Sequence, residues 1–246
     1  LYRSLRYVRI DPEMTPQDMQ SATERLLEAN RERLTPNAMY RVGHWVTRGV
    51  DSESMAALAA GPATVMIFFR PVDTAAIARN HAQGVQLSIT TTRRNPPACV
   101  ETRAKVTSKM NQILAELDAA ARGKLSLMLD LDGNVAENAV ANIFIARDGV
   151  LWTPPERNIL EGVTRKVVFE LCEGLGIPLE ERLFTQYDLA QADECFITSS
   201  AICATPVASI DDFTPTHPVP GPITTQLIDA FAADTGYDFR DQSSVA

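Results

Sequence analysis

Two consecutive prolines, Pro96 and Pro97, follow Asn95, and neither a sheet nor a helix runs through such a pair intact. Proline fixes φ at about −65° and removes a backbone donor, so the pair ends one folding pattern and lets another begin. The chain therefore reads as two parts: a small α+β part over residues 1–94, a connecting loop over 95–104, and a larger part over 105–246.

Before the break, residues 15–31 carry Met19, Ala22, Leu26, Leu27 and Ala29 at helical spacing, with Thr15 and Pro16 as N-cap and first-turn residue. Residues 38–47, 63–69 and 84–92 are short runs rich in Val, Ile, Thr, Tyr or Phe, which predict strands, and 71–81 predicts a helix. After the break, Met110, Ile113, Leu114 and Leu117 predict a helix over 108–121. Strands are expected at 125–130, 143–147 and 150–153, the last two joined by a hairpin at Asp148-Gly149. The strongest helix pattern, over 162–174, stops at Gly174 and Gly176; a strand over 194–198 and a helix over 222–233 complete the reading.

Composition excludes several classes of function. A net charge of −8 repels phosphate backbones, which argues against nucleic acid as a partner. The apolar runs at 65–69 and 125–129 are far shorter than the roughly 20 residues a membrane span requires, so no membrane partner is expected. Four cysteines without Cys-x-x-Cys pairing suit a reducing, cytoplasmic setting, and three scattered histidines give no metal-ligand spacing.

Four places offer chemistry, each with a plainer alternative. Gly162 and Thr164 open the strong helix, where unpaired amides and the macrodipole favour an anion such as phosphate; they also suffice merely to start a helix. Ser199 and Ser200 follow a strand in a small-residue turn, which either holds phosphate oxygens or is ordinary loop. Lys105 is one of only four lysines and follows the proline break; it is either a Schiff-base amine with a lowered pKa or a solvated surface lysine. Glu137, among small residues between strand patterns, is either a buried carboxylate that needs a cation, such as a protonated pyridine, or a loop glutamate in water.

Taken in order, these stretches resemble the signature series of the fold-type IV, or class IV, pyridoxal-phosphate aminotransferases, which include branched-chain, D-amino-acid and (R)-amine transaminases. The matching segments are Arg103-Ala104-Lys105, Gly133-Asn134-Val135-Ala136-Glu137, Ile159-Leu160-Glu161-Gly162-Val163-Thr164-Arg165 and Ala192-Asp193-Glu194-Cys195-Phe196-Ile197-Thr198. The resemblance implies a two-domain fold, a small α/β domain and a larger pseudo-barrel domain, with pyridoxal 5'-phosphate as cofactor. It further implies that Lys105 forms the Schiff base, Glu137 meets the pyridine nitrogen and Leu160 packs against the ring. Gly162, Val163 and Thr164 would serve the phosphate from one side, and Ser199 and Ser200 from the other.

Transamination between an amino acid or amine and a 2-oxo acid, by a homodimer, is the activity the resemblance implies, with a lean toward branched-chain substrates. A lyase of the aminodeoxychorismate type and a cofactor-binding homologue without turnover are the alternatives. The chain departs from the family where many members carry Asn-Tyr after the lysine and it has Ser108-Lys109. Leu1-Tyr2-Arg3-Ser4-Leu5 resembles the tail of the family's His-x-x-Arg-Leu segment, so the front of the small domain, about forty or fifty residues, is expected to be absent.

Overall fold

The computed structural model describes residues 1–35, 38–49 and 62–240. They fall into two compact units, Leu1–Asp73 and the residues from Thr74 onward.

In the first unit, helix α1 (Tyr2–Val8) precedes helix α2 (Pro16–Ala29), and strands β1 (Tyr40–Thr47) and β2 (Thr64–Pro71) form an antiparallel pair. The Thr15 cap read from sequence is a full capping box: its hydroxyl accepts from the Asp18 amide at 3.2 Å, and the Asp18 carboxylate accepts from the Thr15 amide at 2.9 Å.

The second unit is built on a seven-stranded mixed sheet. Its strands are β3 (Val85–Ile89), β4 (Leu125–Leu127), β5 (Asn142–Arg147), β6 (Val150–Thr153), β7 (Leu179–Glu181), β8 (Glu194–Ser199) and β9 (Cys203–Ile210), in the order β4-β3-β9-β8-β5-β6-β7. Helices α3 (Thr74–Gln83), α4 (Met110–Ala120), α5 (Val163–Leu175), α6 (Gln186–Leu189) and α7 (Pro222–Thr235) accompany it.

The division falls at Asp73, earlier than the proline break suggests. The reason is hydrogen bonding: β3 runs parallel between β4 and β9, so residues 74–94, placed by sequence with the small part, complete the large sheet. Asn95-Pro96-Pro97 interrupts secondary structure as expected, but inside the second unit.

Both faces of this sheet are covered, and alternation along the strands shows how. Ile143, Ile145, Cys195 and Ile197 enter one apolar cluster with Leu87, Leu127 and Val207. Their neighbours Phe144, Ala146 and Phe196 enter the other, beneath Val168 and Cys172 of α5 and Leu227, Ile228 and Phe231 of α7. A strand buried on both sides loses the polar half of its alternation and reads as a continuous apolar run, as Ile143 to Ala146 does. Phe144 and Phe196 stack with centroids 4.9 Å apart, a pair worth about 0.5–1.5 kcal/mol beyond its burial.

The β5–β6 hairpin turns at Asp148 (φ 51°) and Gly149 (φ 79°), two consecutive positive φ values that a two-residue turn of matching twist requires. Among the described residues, no helix is long and apolar enough to cross a membrane.

Candidate active site

Glu137 lies in the loop between β4 and β5 and is buried, which by itself is unfavourable for a carboxylate. Three donors compensate. Arg94 Nε donates to Oε1 at 2.8 Å, with both side chains 6% exposed; the Leu160 amide donates to Oε2 at 2.9 Å and Asn142 Nδ2 at 3.3 Å. Burial pushes the Glu137 pKa up, and the Arg94 charge, the Leu160 amide and the Lys105 charge oppose that rise. Gln112, with its amide oxygen turned inward, accepts from Arg94 Nη1 at 3.1 Å and Nη2 at 3.3 Å, so the guanidinium is held on a second side.

Asn142 joins this group to the next element. Its amide also donates to the Leu160 carbonyl at 2.9 Å, so both backbone groups of Leu160 are fixed two residues before Gly162, the N-cap of α5. A Cβ on Gly162 would lie 2.0 Å from Asn142 Oδ1, which explains the glycine: the asparagine occupies the space that a side chain would need. No side chain caps α5 at Gly162, so the amides that open the helix, Val163 and Thr164 among them, have no intrahelical acceptor. Val163 is exposed and Thr164 buried.

Register brings the serine turn to the same place. Asn142 opens β5 opposite Thr198 of β8, and Ser199 and Ser200 follow directly. Among the described residues the Thr198 hydroxyl is buried without a hydrogen-bond partner, an orphan of the kind that a bound oxyanion or its water satisfies. The turn closes through the Ile202 amide, which donates to the Ser199 carbonyl at 3.1 Å.

Lys105 is exposed on the surface of the second unit, yet enough protein surrounds its amine that burial lowers its pKa. The positive charge of Lys109 lowers it further, and Glu137 acts in the opposite direction, which places the amine within the electrostatic reach of that carboxylate. A lysine shifted downward is a better nucleophile at neutral pH than a free one.

Sequence reasoning located Glu137 but missed Arg94, Asn142 and Gln112. The signal for Arg94 was available: a buried carboxylate requires a cation from the chain itself when no ligand supplies one, and Arg94 sits in the one Arg-Arg pair. Asn142 and Gln112 gave none, because their roles depend on tertiary contact.

The buried, three-donor carboxylate, the depressed lysine amine, the uncapped helix start and the orphaned hydroxyl beside a serine turn suit an aromatic cation carrying an aldehyde and a phosphate; pyridoxal phosphate has these groups. Comparison decides the family, because the sequence model for amino-transferase class IV matches residues 1–210.

The chain belongs to the class IV aminotransferases.

It is 32% identical over 233 residues to a putative branched-chain-amino-acid aminotransferase of Methanocaldococcus jannaschii, a match covering 94% of this chain and 78% of that one. A probable branched-chain-amino-acid aminotransferase of Thermotoga maritima is 32% identical over 149 residues, covering 60% of this chain and 54% of the relative, so the match spans about half of that protein. Other relatives carry the name D-alanine aminotransferase. Among solved structures, the PLP-form of the branched-chain amino acid aminotransferase from Thermobaculum terrenum superposes with a TM-score of 0.83 at 29% identity, covering 97% of this chain and 77% of that one.

Proposed function

We propose that this class IV chain is a pyridoxal-phosphate-dependent transaminase that moves an amino group between an amino acid and a 2-oxo acid. The observation that carries the reading is the buried Glu137 carboxylate, bound through the Leu160 amide to the start of α5, with the Lys105 amine in its field.

Pyridoxal phosphate supplies an aldehyde that condenses with amines and a protonated ring that accepts the electron pair left when a Cα proton departs. The chain supplies the rest. Lys105 would hold the cofactor through its aldehyde, and its amine, once displaced by an amino donor, would serve as the acid–base group that moves the substrate's Cα proton. Glu137, whose charged form Arg94 favours against burial, would offer the counter-charge for the pyridine nitrogen. Leu160 backs the ring. The amides of Val163 and Thr164, with Gly162 leaving the approach open, take the phosphate on one side, and Ser199 and Ser200 take it on the other.

Branched-chain amino acids are the favoured donors, supported by the names of several relatives. A panel of L-leucine, D-alanine and (R)-1-phenylethylamine against 2-oxoglutarate and pyruvate tests this, with product identification. L-Leucine with 2-oxoglutarate is expected to give glutamate; with aminodeoxychorismate added as a substrate that carries a leaving group, release of pyruvate without amino transfer would mean a lyase, and no product from any pair would defeat the proposal.

We also infer a homodimer. Met110, Ile113, Leu114 and Leu117 lie at i, i+3, i+4 and i+7 of α4, each between 47% and 65% exposed, an apolar stripe left open among the described residues. Leu117→Glu is expected to convert the dimer to monomer in light scattering after gel filtration, and a wild-type mass of one chain would overturn the inference. Four cysteines without disulfides suit the cytoplasm.

A further inference from the structure

His81, in the last turn of α3, is 1% exposed and takes no part in the chemistry above. Its Nε2 lies 2.9 Å from the carbonyl oxygen of Ile202. A carbonyl only accepts, so Nε2 carries the hydrogen. Ile202 belongs to the turn that presents Ser199 and Ser200, and the same carbonyl accepts from Thr205 Oγ1 at 3.0 Å. Two donors, one from α3 and one from β9, thus fix the carbonyl of Ile202, the residue whose amide closes the serine turn. The residue after it, Cys203, is held at φ 53°, a conformation that L side chains rarely adopt and that persists only when its surroundings dictate it.

We propose that His81 is a positioning residue for the phosphate-binding serine turn, and that its protonation loosens the turn and releases the cofactor. This rests on the pyridoxal-phosphate reading above.

The other ring nitrogen explains why protonation is disruptive. Among the described residues Nδ1 is buried without a partner, so a second proton there would find no acceptor among them. The ring stacks on Phe239 at 6.2 Å with planes 14° apart. Of the charged groups around it, Asp238 favours the protonated form and Arg240 opposes it. Arg240 is tied to Asp238 at 2.8 Å and to Asp229 of α7 at 2.7 Å. On β9 the Cys203 thiol is pushed up to about 12, chiefly by burial, and stays neutral. Burial dominates at the imidazole and holds its pKa below 6.5.

The sign follows. A group whose pKa is lowered in the ordered state supports that state above its ordinary value and ceases to support it as pH falls. The turn is therefore complete at neutral pH and weakened by acid.

The experiment measures pyridoxal phosphate affinity of the stripped full chain by fluorescence quenching, across pH, for wild type, His81→Gln and His81→Phe. Urea midpoints check that each variant is folded. His81→Gln keeps a side-chain N–H for the Ile202 carbonyl and has no titration; His81→Phe keeps the ring and loses the donor. Loss of one buried hydrogen bond corresponds to about tenfold in dissociation constant, expected for His81→Phe at neutral pH, with His81→Gln near wild type. Below about pH 6.5 the wild type should weaken relative to His81→Gln, whose profile retains the titrations common to both proteins, those of the cofactor phosphate, Lys105 and Glu137. Equal affinity of wild type and His81→Phe, or parallel profiles for wild type and His81→Gln, overturns the role of His81 and leaves the transaminase reading standing. Absence of any uptake by wild type overturns both. If His81→Phe does not fold, the comparison of the wild-type and His81→Gln profiles decides.

Discussion

Lys105→Ala is expected to abolish the visible absorption of the cofactor-loaded protein and to reduce transamination by about ten-thousand-fold or more. Two contributions vanish together: the covalent hold on the aldehyde and the amine that moves the Cα proton, the latter alone worth about 10² to 10⁴. The side chain is exposed, so its truncation should leave the urea midpoint near the wild-type value, separating chemistry from folding. Lys109→Ala is the control, because it removes a neighbouring amine and leaves the proposed covalent site intact. Retained absorption and turnover in Lys105→Ala, with loss of both in Lys109→Ala, would move the covalent role to position 109.

The second large effect concerns stability. Arg94→Met leaves Glu137 buried without its cation and is expected to destabilise the chain by about 3–5 kcal/mol, read from urea unfolding at about pH 8. The pH dependence can be signed. Burial already lifts the Glu137 carboxyl above the usual carboxylate range, with Arg94 opposing. Without Arg94 the folded-state value rises further, so folding takes up a proton that the unfolded chain lacks. The stability linked to that proton is fully present below the ordinary glutamate value and is lost as pH rises through the folded value. The deficit of Arg94→Met is thus largest in mild alkali and should shrink toward about pH 5. Arg94→Met with Glu137→Gln removes both charges while keeping an acceptor for the Leu160 amide, and should recover a large part of the loss. A deficit independent of pH, or no recovery in the double variant, would show that the pair does not control this region.

Much of this was legible in the chain itself. The helices at α2, α4, α5 and α7 announce themselves by 3.6-residue periodicity and by their stops, and Asp148-Gly149 specifies its turn through two positive φ values. The residues proposed to hold the cofactor were found through their order along the chain, each ambiguous alone. What escaped was tertiary. Strand β9 was missed because Pro206 and small residues weaken its pattern, yet it pairs with both β3 and β8. The extent of the small part was misplaced for the same cause: the partners of β3 lie some forty and one hundred and twenty residues downstream, beyond any local window. His81 and Arg94 owe their significance to a carbonyl and a carboxylate remote in sequence.

The placement of β3 also bears on how the chain is made. Val85 pairs with Val207, so during synthesis the strand leaves the ribosome long before its second neighbour does, and one row of its amides stays unsatisfied through more than a hundred further codons. Chaperone capture should accordingly be concentrated on nascent chains that have exposed this strand and have not yet extruded β9, and a ribosome stalled between those points would carry the chain in its most adhesive state.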